Sequence, residues 1–120
     1  LLHYGVAIGG IKLGEGGMIV KASDQKHLEA IGVSDSISRD MIYQPAYEVV
    51  VSGTTGAGDC AYAGLLYALA TGANLETAAK FACAVAAHSV ESPESAVGLP
   101  PAEVIRERVI SGWRTLPPIF

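Results

Sequence analysis

Residues 53 to 59 read Gly53-Thr54-Thr55-Gly56-Ala57-Gly58-Asp59, a glycine-rich turn that runs into a helical pattern. A turn of this kind leaves backbone N–H groups at the helix N-terminus with no helical carbonyl to accept them, and the helix dipole adds partial positive charge there. The combination suits an anion, phosphate above all, and the glycines let such a ligand come close to the backbone. At Gly58 this close approach and a positive φ are both expected. Two common phosphate motifs are excluded: no G-x-x-x-x-G-K-[ST] run is present, and G-x-G-x-x-G does not fit. Asp59 stands apart, because a carboxylate beside a phosphate site repels its ligand. It makes sense as a general base that takes the proton of a hydroxyl attacking a phosphoryl group. The competing reading is structural, a favourable negative charge in the first helical turn.

The other reactive residue types form no second site. His3, His27 and His88 are too widely spaced for a metal-ligand pattern, and His88 reads as a helix-terminal histidine near the negative dipole end. Cys60 and Cys83 make neither a disulfide framework nor a C-x-x-C pair. Both sit in alanine-rich helical patterns and read as buried free thiols in a reducing, cytoplasmic setting. Glu91, Glu94, Arg106, Glu107 and Arg108 read as solvated, and Trp113 as a packing anchor.

The elements that position the turn follow from pattern. Residues 6–12 are nearly all apolar or glycine, which reads as a strand buried on both faces, as in a parallel sheet. Leu13-Gly14-Glu15-Gly16-Gly17 is a tight turn, and Met18-Ile19-Val20-Lys21 a second strand, so 6–21 also reads as a hairpin. Ser23 and Gly32 suit the N-cap and C′ of a short helix. Residues 33–46 read as a loop with a short strand near 41–43. Tyr47-Glu48-Val49-Val50-Val51 is a β-branched strand leading into the glycine turn. Helices are expected over 57–70 and 75–90, separated by Gly72 and capped by Asn74. A last helix starts with Pro101 at its first position and runs to about Ser111, with Ala102, Ile105 and Val109 on one face. Residues 113–120 read as an irregular tail.

Composition bounds the rest. The chain has 120 residues, 50% hydrophobic and 17% charged, which is one domain's worth of globular sequence rather than a disordered tail. Its net charge of −4 argues against nucleic acid as a partner. No apolar run is long enough for a membrane span, and Leu1-Leu2-His3-Tyr4-Gly5 carries no basic leader. The chain opens on Leu1, with Met18 as its first methionine, which fits a processed product or a piece of something longer.

The turn and the Ala63-Gly64 pair that follows it closely resemble the D-T-x-G-A-G-D-x-F-x-A-G signature of the ribokinase-like (phosphofructokinase B type) carbohydrate kinases. Ile11-Lys12-Leu13-Gly14-Glu15-Gly16-Gly17 resembles that family's K/T-L-G-x-x-G turn, and the two alanine-rich helices and the Gly98 loop fall in the family's order. The resemblance implies an α/β architecture: the C-terminal part of a ribokinase-like fold, with a mainly parallel sheet flanked by helices, spanning 1–120 and lacking the N-terminal half. It implies ATP-dependent phosphorylation of a hydroxyl on a sugar or nucleoside-like molecule, with Mg²⁺ and a K⁺ as accompanying ions and a homodimer in the complete protein. Asp59 would be the catalytic base and the N–H groups of Gly56, Ala57 and Gly58 the anion hole. Lys12, Gly14 and Gly17 would line the ATP site, with residues near 83–89 beneath the nucleotide, and the carbonyls of Gly53 and Thr55 would face the monovalent cation. Three departures qualify this: Gly53 replaces an aspartate linked to that cation, Ala61 replaces a phenylalanine, and the family's Mg²⁺-organising N-x-x-E is missing. The alternatives are a truncated, non-catalytic remnant that binds nucleotide or acts as an interaction module, and an unrelated phosphate-binding domain in which Asp59 is structural.

Overall fold

Lys12 and Met18 face each other at the closed end of a hairpin, because the turn between them is too short for anything but antiparallel pairing. The computed structural model describes residues 5–23, 25–30, 32 and 40–120. The hairpin strands are β1 (Ile8–Lys12) and β2 (Met18–Ala22), and β3 (Ile42–Gln44) pairs antiparallel with the other edge of β2. Gly17 makes this closure possible. Its φ is +95°, and a Cβ there would lie 2.0 Å from the carbonyl oxygen of Gln44. Only glycine permits both.

The described sheet is therefore antiparallel throughout, as the hairpin reading of 6–21 has it, and the mainly parallel sheet is not seen among the described residues. The expected two-sided burial of the first strand also fails: Ile11 in β1 is 55% exposed. β2 instead alternates, burying Met18, Val20 and Ala22 while Lys21 faces solvent. A half-buried antiparallel strand shows this period of two.

Four helices follow in chain order: α1 (Gln25–Ala30), α2 (Ala57–Ala70), α3 (Leu75–Glu91) and α4 (Ala102–Ile110). Asn74 caps α3, its side chain accepting from the Thr77 N–H at 2.8 Å, as its position predicts. Gly72 ends the preceding turn at a φ of +93°. Pro101 is the N-cap of α4, one residue before its expected place. Gly32 adopts the left-handed φ expected of it. Residues 1–4, Asp24, Ile31 and 33–39 lie outside the described residues, so the start of the first helix beside Ser23 and the loop expected after Gly32 fall there too.

α3 is the centre of the core. Ala78, Ala79, Ala82 and Ala84 are fully buried, and the helix packs on α2, on β2 and β3, and on α4. Alanine at these positions lets backbones come close. α2 answers with Gly64, where a Cβ would sit 3.0 Å from Val85. The segment expected as a strand over 47–51 is extended but makes a single antiparallel bridge, Tyr47 with Thr115. It has no longer ladder among the described residues. It delivers the chain to α2, and Val50 is 85% exposed along the way. No described helix is long and apolar enough to cross a membrane.

Candidate active site

α2 opens on Gly56, whose φ of +80° is left-handed and turns the chain into the helix. Cys60 N–H is the first to close a helical ring, on the Gly56 carbonyl at 2.9 Å. The N–H groups ahead of it have no helical acceptor of their own. Ala57 N–H is already engaged, donating to the Thr54 carbonyl at 3.2 Å. Gly58 is the second residue of the helix, and its φ is not positive; the left-handed φ expected at Gly58 belongs to Gly56. What Gly58 provides is room. A Cβ there would stand 3.0 Å from Lys12 Nζ.

Lys12, at the end of β1, thus reaches the N-terminus of α2, and its ammonium also lies 5.5 Å from the centre of the Tyr62 ring. Among the described residues no carboxylate lies within ion-pairing distance of it. A cation with no carboxylate partner among the described residues, a helix N-terminus and a glycine opening converge on one spot, an arrangement whose electrostatics suit an anion. Asp59 follows Gly58 in the first turn and is exposed.

These groups border a cleft of about 620 Å³. Of the residues singled out in the sequence, Lys12, Gly14, Gly17, Ala57 and Gly58 line it; Gly53, Thr55, Gly56 and Asp59 do not. From α3 come Cys83, Ala86, Ala87 and Val90, within and just past the stretch placed beneath the nucleotide. Tyr47, Val49 and Val51 form a wall that sequence reasoning missed. Their spacing of two was the available signal, since an extended chain turns alternate side chains to one face. Leu116 also lines the cleft, and nothing in the sequence marked it.

Burial, with a smaller contribution from Cys83, pushes the Tyr47 hydroxyl up to about 12, and burial pushes the Cys83 thiol up to about 12. Cys83 is therefore an inert thiol at neutral pH, as is expected of a buried cysteine. Cys60 is free and buried as well.

Behind Tyr47 lies a polar cluster that the sequence misrepresents. Trp113 stacks on Tyr47 with ring centres 4.7 Å apart and meets His88 in a T-shaped contact at 5.1 Å. Arg108 lies over the Trp113 ring at 3.6 Å and pairs with Glu91. Glu91 and Arg108 are thus not simply solvated, because the end of α3 and the last turn of α4 bring them together. Arg106 does stay exposed, over the rings of Tyr67 and Phe81. Trp113 is the anchor it was expected to be.

Burial first, and the Arg108 charge second, hold His88 below its ordinary value of 6.5, with Glu91 opposing. The helix C-terminus would favour the charged imidazole, and burial outweighs it. An imidazole with a lowered folded pKa takes up its proton more readily in the unfolded chain, so stability falls as pH drops below 6.5. We expect the melting temperature by circular dichroism to decline as pH falls through and below 6.5. His88→Gln should flatten that slope; an identical slope in the variant would acquit His88.

Residues 10–102 match the family described as pfkB family carbohydrate kinase. The chain belongs to the pfkB family of carbohydrate kinases. This removes the reading of an unrelated phosphate-binding domain. The pfkB chain also resembles solved ribokinase-family structures. A nucleoside kinase of Methanocaldococcus jannaschii, described as an archaeal member of the ribokinase family, is 25% identical at a TM-score of 0.71, over 88% of this chain and 31% of that one. A ribokinase of Thermotoga maritima is 26% identical at 0.70, over 91% of this chain and 32% of that one. Arabidopsis thaliana ribokinase, solved with ribose and ATP, shares the fold at 24% identity and a TM-score of 0.66, over 85% of this chain and 28% of that one. The pfkB chain spans about a third of the length of these structures.

Proposed function

We propose that this chain carries the phosphoryl-transfer end of an enzyme that moves the γ-phosphoryl group of ATP to a hydroxyl on a sugar or nucleoside-like substrate. The observation that carries the reading is the meeting of Lys12 Nζ with the N-terminus of α2 at Gly58, one residue before an exposed Asp59 that makes no ion pair with it. Asp59 takes the proton of the substrate hydroxyl as its oxygen bonds to the γ-phosphorus, and the bond from phosphorus to the β–γ bridging oxygen breaks to release ADP. The N–H groups of Gly56 and Gly58, with Ala57 in a lesser part because it already bonds Thr54, and the Lys12 ammonium hold the charge on the transferring group. The apolar cleft and the Gly14–Gly17 turn take the rest of the nucleotide.

The ions fit less well. Among the described residues no three His, Cys, Asp or Glu side chains gather to hold a metal. Asn74 is the only asparagine of the chain, and its side chain caps α3. The described residues gather no metal cluster of their own, and the carbonyls of Gly53 and Thr55 would be two of the several oxygens a K⁺ needs.

The test is calorimetric titration of the chain with ATP and ADP, together with turnover assays against a panel of sugars and nucleosides. We expect nucleotide binding without transfer, since the chain lacks a Mg²⁺-organising motif and spans about a third of the related kinases. No nucleotide binding would remove the kinase reading. Robust turnover that disappears with Asp59→Asn would show the 120 residues to be self-sufficient.

A further inference from the structure

Residues 113–120 lie beyond the stretch matched by the family, yet one of them, Leu116, lines the cleft. Glu48 N–H donates to the Arg114 carbonyl at 2.8 Å and Leu116 N–H to the Ala46 carbonyl at 2.7 Å, with Tyr47 and Thr115 bridged between them. This short ladder sets the Leu116 side chain in the cleft lining beside Tyr47. Both ends of the segment are tied down. Trp113 stacks on Tyr47 and donates its Nε1–H to the Glu48 carbonyl at 2.9 Å. At the other end, Ile119 N–H donates to the Tyr43 hydroxyl at 3.2 Å, and that hydroxyl donates to the Gly16 carbonyl at 2.6 Å. The segment is thereby fixed to the turn between β1 and β2 as well as to the cleft wall.

The charged side chains of the cleft lining are Lys12 and Glu15, and Lys12 stands at the N-terminus of α2, where an anion belongs. The wall formed by Tyr47, Val49 and Leu116 is apolar apart from the Tyr47 hydroxyl. A flat aromatic base suits such a wall; a phosphate or a polyol does not. We propose that Leu116 contacts the nucleobase and helps to set affinity for it. This rests on the nucleotide reading above.

Calorimetry with three probes tests it: ADP, adenosine and inorganic tripolyphosphate. Leu116→Ala keeps the backbone ladder and should weaken ADP and adenosine alike, by about tenfold, from lost apolar contact. Tripolyphosphate affinity should hold. Lys12→Ala should do the reverse, weakening tripolyphosphate and ADP while sparing adenosine. ADP affinity that is unchanged in Leu116→Ala overturns the inference and leaves the nucleotide reading standing; a wild-type chain that binds no ADP removes both. Should Leu116→Ala fail to fold, the methyl NMR signals of Leu116 in the unsubstituted chain decide. They should shift on adenosine, through the ring current of the base, and stay in place on tripolyphosphate. Methyl signals unmoved at saturating adenosine overturn the proposal.

Discussion

Asp59→Asn is expected to lower kcat by about 10²–10⁴-fold in a form of the protein that turns over, the range general-base catalysis supplies. Asparagine keeps the size and hydrogen-bonding shape of the side chain but cannot accept the proton. Nucleotide affinity should hold or improve, because a negative charge beside the phosphates has gone. The side chain is exposed, so no buried contact is lost with the carboxylate. Were Asp59 only a helix-end partner, asparagine would serve almost as well. Stability would then change by roughly 1 kcal/mol or less, and kcat would barely move. Steady-state kinetics with a melting control separates the two. Near wild-type kcat in a folded variant would leave the carboxylate without a catalytic part.

Gly58→Val is the second substitution with a large expected effect, and it acts on binding. The new Cβ would crowd Lys12 Nζ, 3.0 Å away, and its branches would fill the space where a phosphate approaches the helix. The crowded atom is the far end of a flexible side chain, so the fold should survive. Nucleotide affinity should fall roughly tenfold to a hundredfold, as for the loss of one or two charge-assisted contacts. Calorimetry on Gly58→Val, Lys12→Met and the double variant would test the route. Losses that add fully would mean that Gly58 does not act through Lys12. Unchanged affinity in Gly58→Val alone would remove the phosphate-cradle assignment.

The parts of this molecule legible in the sequence are those whose causes are local. Asn74 caps α3 and Gly72 ends the turn before it, because each acts on backbone within a few residues. The family resemblance makes the glycine turn and the Lys12-to-Gly17 turn neighbours of one ligand, and Lys12, Gly14, Gly17, Ala57 and Gly58 of the two turns line a single cleft. The errors came from partners distant in sequence. A glycine-rich apolar run such as 6–12 is compatible with either sheet type, and its antiparallel pairing is set by the turn that follows. Residues 47–51 have strand-forming side chains, but a strand needs a neighbour to pair with, and among the described residues the pairing stops after Tyr47 and Glu48, which meet Thr115 and Arg114. Glu91 and Arg108 looked solvated because nothing in either helix pattern shows that the ends of α3 and α4 meet. Leu116 is the extreme case. Its role follows from a ladder between segments as far apart as Glu48 and Trp113, which are 65 residues from each other in sequence.

The stack of Trp113 on Tyr47 gives the protein an optical handle. Trp113 is the only tryptophan in the chain, so all indole emission comes from one place. Trp113 lies against Tyr47, which lines the cleft, and His88 meets the same indole ring in a T-shaped contact. Intrinsic fluorescence therefore senses three events in unlabelled protein: filling of the cleft through Tyr47, protonation of His88 through quenching by the imidazolium, and detachment of the C-terminal segment through exposure of the indole to water. Each acts through a different neighbour of the indole, so intensity and emission wavelength recorded together can tell them apart.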